Sequence, residues 1–126
     1  MGEKLLIVDD ESDIVETTAQ LLRARGYDIV TAFDGTKGLE KAKIEYPGLI
    51  ILDIGMPVKD GYEICFELKR DKVTKGIPVI MLTAKGESEA IEKAKKSGAD
   101  DYVVKPFNIQ FLSSRINKLL AKKNEK

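Results

Sequence analysis

The chain has 126 residues, the length of one domain, with 43% hydrophobic and 33% charged residues, and no apolar run approaches the roughly 20 residues that a membrane-spanning helix needs. Its 21 basic and 21 acidic residues cancel, so no overall field would draw it to nucleic acid or to an anionic membrane, and direct nucleic-acid binding by this chain is not expected. It has no histidine and one cysteine, Cys65, which excludes histidine-based catalysis, an internal disulfide and the usual nitrogen-ligated zinc and copper sites.

Met1-Gly2-Glu3-Lys4 runs straight into the first apolar run, 4–8, with no signal-peptide region ahead of it, so a cytoplasmic protein is expected. A helix over 12–25 follows, with Ile14, Thr18, Leu21 and Leu22 on one stripe and Glu11, Glu16, Arg23 and Arg25 spread over the rest. Asp10 or Ser12 would cap its start, and Gly26 would end it in a left-handed conformation. The pattern then gives a run at 28–32, a helix at 36–45, a run at 49–52 and a helix at 61–71, where Cys65 between Ile64 and Phe66 reads as a packing residue. It continues with a run at 77–82 ended by Thr83, a helix at 87–97, a run at 101–104 and a helix at 108–122. That last helix carries Ile109, Leu112, Ile116, Leu119 and Leu120 on one face, with Asn108 as its cap.

These are five βα units in one domain, 1–126. Runs such as Leu49-Ile50-Ile51-Leu52 are apolar without alternation, as in a parallel strand covered on both faces, so the fold class is α/β with an open, doubly wound, five-stranded parallel sheet. In such a sheet ligands bind beyond the carboxyl ends of the strands, where Asp9, Asp10, Asp53, Thr83 and Lys105 fall. Clustered carboxylates repel and call for a cation, and oxygen-only ligands in a partly open site favour Mg2+. A metal and a lysine beside a carboxylate suit phosphoryl groups, whose oxygens both cations neutralise while the carboxylate acts as nucleophile. Thr83 can donate its hydroxyl to a phosphoryl oxygen, and Ala84 can offer a backbone N–H.

Four segments carry a resemblance: Val8-Asp9-Asp10-Glu11; Leu52-Asp53-Ile54-Gly55-Met56-Pro57 with Asp60-Gly61; Leu82-Thr83-Ala84; and Gly98-Ala99-Asp100-Asp101-Tyr102-Val103-Val104-Lys105-Pro106-Phe107. Together, in order and at these spacings, they resemble the receiver domains of two-component response regulators (CheY-like, flavodoxin-like sheet order 2-1-3-4-5). The resemblance implies that Asp53 accepts a phosphoryl group from a phosphohistidine on a sensor histidine kinase or a histidine phosphotransfer protein. Asp10, Asp53 and the Gly55 main-chain carbonyl would bind Mg2+ directly and Asp9 through water. Lys105 would pair with the phosphoryl group, and the Lys105-Pro106 peptide bond would be cis. Thr83 and Tyr102 would be the switch pair, changing the surface of the fourth helix, the last strand and the last helix toward a downstream effector. Such a chain is not an enzyme beyond its own phosphorylation and dephosphorylation.

Gly55, two residues past Asp53, and Lys85, two past Thr83, depart from commoner receiver patterns at positions that influence phosphoryl lifetime. Asp100, Asp101 and Arg115 match positions used for salt-bridged dimerisation in winged-helix regulators, so a monomer or a phosphorylation-dependent dimer is expected, although Phe111 stands where those relatives carry an acid. Lys93, Lys95 and Lys96 read as a solvated helix face. Two versions of the function remain, a free-standing regulator and the excised N-terminal receiver of a longer, for example DNA-binding, regulator.

Two other classes fit less well. A magnesium-dependent phosphatase with an aspartate nucleophile needs a second acid two residues on, and Asp53 has Gly55 there. A flavin carrier needs a phosphate cradle after the first strand, where Asp9-Asp10-Glu11 would repel phosphate.

Overall fold

The computed structural model describes residues 3–56, 60–83 and 88–123. Five strands and five helices alternate: β1 (Lys4–Val8), α1 (Ser12–Arg23), β2 (Asp28–Ala32), α2 (Gly35–Glu45), β3 (Leu49–Asp53), α3 (Gly61–Arg70), β4 (Val79–Thr83), α4 (Ser88–Lys96), β5 (Asp101–Val104) and α5 (Ile109–Lys123). All the strand pairs are parallel and the sheet order is β2-β1-β3-β4-β5, as the receiver resemblance implies.

The period-two geometry of a strand divides the apolar residues between two cores. Leu5, Ile7, Leu49, Ile51, Ile80 and Leu82 face α1 and α5, meeting Val15, Leu22, Leu112 and Ile116. Leu6, Val8, Ile50, Leu52 and Met81 face the other way, toward Ala42 of α2, Ile64 and Leu68 of α3 and Ala94 of α4. β1, β3 and β4 are therefore buried on both faces, which is why their sequences show no polar alternation. Cys65 is fully buried among these residues, as expected of a packing residue.

Helix ends differ in detail from the sequence expectation. The N-cap of α1 is Glu11, not Asp10 or Ser12, and its side chain makes no capping bond. Gly26 is left-handed (φ +99°), but α1 proper ends at Arg23 and a tight turn leads to the glycine. α3 begins with a reciprocal cap, Asp60 accepting from the Glu63 N–H and Glu63 accepting from the Asp60 N–H. Asn108 caps α5 as expected, accepting from the Phe111 N–H at 2.7 Å. The buried stripe of α1 is Val15, Thr18, Ala19 and Leu22, so the expected stripe is rotated: Ile14 and Leu21 stay partly exposed.

Candidate phosphoryl and metal site

Asp53 ends β3, Thr83 ends β4, Asp9 and Asp10 follow β1 directly and Lys105 follows β5. The register pairs Asp53 with Leu82 and Thr83 with Val104, which brings these strand ends to one edge of the sheet. Main-chain hydrogen bonds carry the ladder into the loops: the Asp9 N–H donates to the Ala32 carbonyl at 3.1 Å, and the Ile54 N–H to the Leu82 carbonyl at 3.2 Å.

The ligand atoms of Asp9, Asp10 and Asp53 lie within 4.8 Å of one another, with Asp9 and Asp53 buried and Asp10 exposed. Lys105 reaches into this cluster. Its Nζ is 2.8 Å from Asp53 Oδ1, 3.8 Å from Asp9 Oδ2 and 3.7 Å from Glu11 Oε1. Among the described residues, one ammonium stands among four carboxylates, which leaves this cluster short of positive charge.

Asp9 registers that shortage. Its Oδ1 accepts from the Glu11 N–H at 3.0 Å, whereas its buried Oδ2 has no hydrogen-bond donor among the described residues. Burial pushes the Asp9 carboxyl up to about 6, and the Asp53 charge adds to the effect, against the Glu11 N–H and Lys105, which oppose it. For Lys105, burial pulls the ammonium down, but the hydrogen bond and charge of Asp53, with Asp9 and Glu11, outweigh it and hold it above its ordinary range. A buried carboxylate oxygen without a donor, facing two further carboxylates, fits an oxygen-liganded divalent cation.

Thr83 Oγ1 is also buried without a partner among the described residues, on the strand next to Asp53. Tyr102 is half-buried on β5, packed against the second core cluster. The Lys105-Pro106 peptide bond is cis. Gly55 leaves space beside the acceptor: among the described residues a Cβ there would meet only Asp53 Oδ2, at 3.8 Å. Ala84 and Lys85 lie outside the described residues. The structure thus brings together Asp9, Asp10, Asp53, Thr83 and Lys105.

Three features of the site region were not read from the sequence. Glu11 reaches Lys105 instead of standing only on the helix surface. Gly61 packs against the main chain of Asp53 and Ile54. Beside Lys105, α1 and the segment after β5 frame a groove of about 600 Å3, lined by Ile14, Thr17, Leu21, Pro106, Phe107 and Ile109. The expected dimer charges are engaged within the chain. Arg115 grips Asp101 at two points, and Lys69 holds Asp100 at 2.8 Å.

The response regulator receiver domain matches residues 5–117. The chain is 41% identical over 122 residues to the alkaline phosphatase synthesis transcriptional regulatory protein PhoP of Bacillus subtilis, covering 97% of this chain and 50% of that one. It is 40% identical to the DNA-binding dual master transcriptional regulator RpaA of Synechocystis, covering 94% of this chain and 49% of that protein. The chain therefore spans about half the length of these curated relatives. Among solved structures it superposes on the chemotaxis protein CheY4 of Vibrio cholerae with a TM-score of 0.89 at 33% identity, covering 94% of this chain and 98% of that one. It also matches the receiver domain of a sensor histidine kinase from Pseudomonas aeruginosa, solved with a magnesium ion coordinated in its active site cleft, with a TM-score of 0.89 at 26% identity and coverage of 96% and 99%. With the acidic cluster, the lysine and the sheet order already in place, the chain belongs to the response regulator receiver domain family.

Proposed function

We propose that Asp53 is the phosphoacceptor of this receiver, and the 2.8 Å contact of Lys105 with Asp53 Oδ1 beside two further carboxylates carries the reading. The chain works in two-component signalling and is not an enzyme acting on free substrates; its chemistry is confined to gaining and losing its own phosphoryl group. The donor, as for the receiver family, is a phosphohistidine on a kinase or phosphotransfer protein, and it lies on another molecule because this chain has no histidine of its own. In the transfer an Asp53 carboxylate oxygen attacks phosphorus. The O–P bond forms as the P–N bond breaks, and the electron pair leaves on the imidazole nitrogen, which then takes a proton.

Mg2+ is the fitting cation. Asp10, Asp53 and the Gly55 carbonyl would hold it directly and Asp9 through water, and when bound it neutralises phosphoryl oxygens. Lys105 neutralises another phosphoryl oxygen. The Thr83 hydroxyl, without a partner among the described residues, donates to a third, and that shift leaves room for Tyr102 to turn inward and alter the α4-β5-α5 face. Phosphoprotein hydrolysis reverses the cycle: water attacks phosphorus, the O–P bond breaks, and Asp53 and inorganic phosphate are restored.

Residues 1–126 form one receiver domain in this reading, placed in the cytoplasm, and no described helix is long and apolar enough to cross a membrane. The coverage of the curated relatives favours a receiver that is part of a longer transcriptional regulator, and in this reading it is the N-terminal part, the remaining portion supplying the DNA-binding output. The length of the native reading frame tests that point. The donor docks over the apolar groove beside Lys105, since the groove is continuous with the site and is framed by the two exposed apolar residues of α1, Ile14 and Leu21. Dimerisation through α4-β5-α5 would require Asp101 and Arg115 to exchange their internal pair for one with a second copy.

Intact-mass measurement with Mg2+ and acetyl phosphate tests the central claim. One phosphoryl group gained by the native chain and none by Asp53→Asn is the expected result; equal gain in both would overturn it.

A further inference from the structure

We infer that Glu11 is a positioning residue for Lys105, a second anionic seat that draws the ammonium away from Asp53 Oδ1 when the acceptor has to react; this rests on the reading of Asp53 as phosphoacceptor. Two independent observations carry it. The first is the geometry, with Lys105 Nζ 2.8 Å from Asp53 Oδ1 and 3.7 Å from Glu11 Oε1, so a small swing of a flexible stem transfers it from one carboxylate to the other. The second is a broken local rule. Glu11 is the N-cap of α1, a position that favours Ser, Thr, Asp or Asn, yet its side chain caps nothing. Residues that forgo a local stabilising role tend to lie at functional sites.

The two seats differ in kind. Asp53 is buried, while the Glu11 side chain is 58% exposed at the rim. A lysine hydrogen-bonded to Asp53 Oδ1 draws electron density from the carboxylate that must attack phosphorus, and it repels any divalent cation entering the carboxylates. Moved toward Glu11, the same ammonium frees the oxygen, eases cation binding and stands at the rim to meet the incoming phosphoryl oxygens. Asp9, Asp53 and Glu11 are the anions within 4 Å of Lys105 among the described residues, and Glu11 is the exposed one.

Glu11→Gln removes the charge. Glu11→Asp keeps the charge but shortens its reach and offers a good N-cap, which would turn the carboxylate toward the helix N–H groups. If the seat operates, both variants bind Mg2+ and gain the phosphoryl group from acetyl phosphate about two- to fivefold less well, the scale of an exposed ion pair. Glu11→Asp should do so while melting higher than the native chain. A capping role predicts the opposite for Glu11→Asp, with function retained. A simple field effect predicts that Glu11→Gln phosphorylates faster, because a negative charge has been removed from the path of an anionic donor.

Mg2+ titration without phosphodonor, read as the shift in melting temperature, supplies the deciding cycle. In a Lys105→Met background, which keeps the apolar stem, Glu11→Gln should have no further effect on Mg2+ affinity. Equal weakening in both backgrounds would overturn the proposal, as would native behaviour of both Glu11 variants. An Asp53→Asn chain that still gained a phosphoryl group would remove the underlying phosphoacceptor reading, and the metal cycle would still uphold or overturn the seat by itself.

Discussion

Gly61 lies so close to Asp53 that a Cβ at this glycine would stand 2.5 Å from the Asp53 carbonyl oxygen and 2.8 Å from the Ile54 Cα. Both neighbours are main chain, so neither can swing aside, and the Gly61 N–H also donates to the Ile54 carbonyl at 3.1 Å. Gly61→Ala should therefore lower stability by about 1 to 3 kcal/mol, as overpacking of a tight contact does. By displacing the end of β3 it should also slow phosphorylation of Asp53. Urea unfolding and intact-mass time courses check the two effects, and an alanine variant of native stability would contradict the contact.

Asp9 gives a pH signature to the metal-free protein. Its folded value of about 6 lies above that of an unfolded aspartate. Between the two, the folded chain keeps a proton that the unfolded chain has released, so stability is fully present below the ordinary carboxylate range and falls as pH rises toward about 6. The total loss is on the order of 1 to 3 kcal/mol. Asp9→Asn should flatten this slope and raise the melting temperature in EDTA, while weakening Mg2+ binding at neutral pH. Melting curves across pH 4 to 7, with chelator and with Mg2+, measure all three, and an unchanged slope in the variant would assign it elsewhere.

Asp101 is held by Arg115 through Nε at 2.6 Å and Nη2 at 2.7 Å. Removing the guanidinium leaves a carboxylate whose side chain is only 9% exposed with the Tyr102 N–H, 2.8 Å from its Oδ1, although the arginine is itself partly solvated. Arg115→Ala should cost about 1 kcal/mol, with the solvated partner limiting the effect. Asp101→Ala/Arg115→Ala should be less destabilised than the sum of the single variants. Chemical denaturation of the four chains closes that cycle, and additive losses would mean that the pair is not coupled.

Ile14 and Leu21 are exposed on α1 and frame the groove beside Lys105. Substituting either by Ser should lower stability by no more than about 1 to 2 kcal/mol, since each side chain is only partly covered. Phosphotransfer from a phosphohistidine protein should fall about five- to thirtyfold, the scale of an interface anchor. Phosphorylation by acetyl phosphate should stay native in rate. Equal losses with both donors would place the residues in the chemistry rather than in docking.

Much of the site was legible in the sequence because it is tied to strand ends. Parallel strands place all their carboxyl ends at one edge, so Asp9, Asp10, Asp53, Thr83 and Lys105 could be collected from position alone, before any distance was known. The two-sided burial of β1, β3 and β4 was equally visible, since continuous apolar runs suit strands covered on both faces. Tertiary structure decided the rest. Helical periodicity gives the relative phase of side chains but not the absolute rotation of the helix. The packing of α1 against the sheet and α5 chose Val15 and Ala19 for the core and left Ile14 and Leu21 at the groove. The reach of Lys105 to Glu11 and the approach of Gly61 to Asp53 likewise depend on how separate segments are brought side by side. Contacts of that kind are fixed by register, twist and helix placement, which act between segments and leave no local pattern in either one.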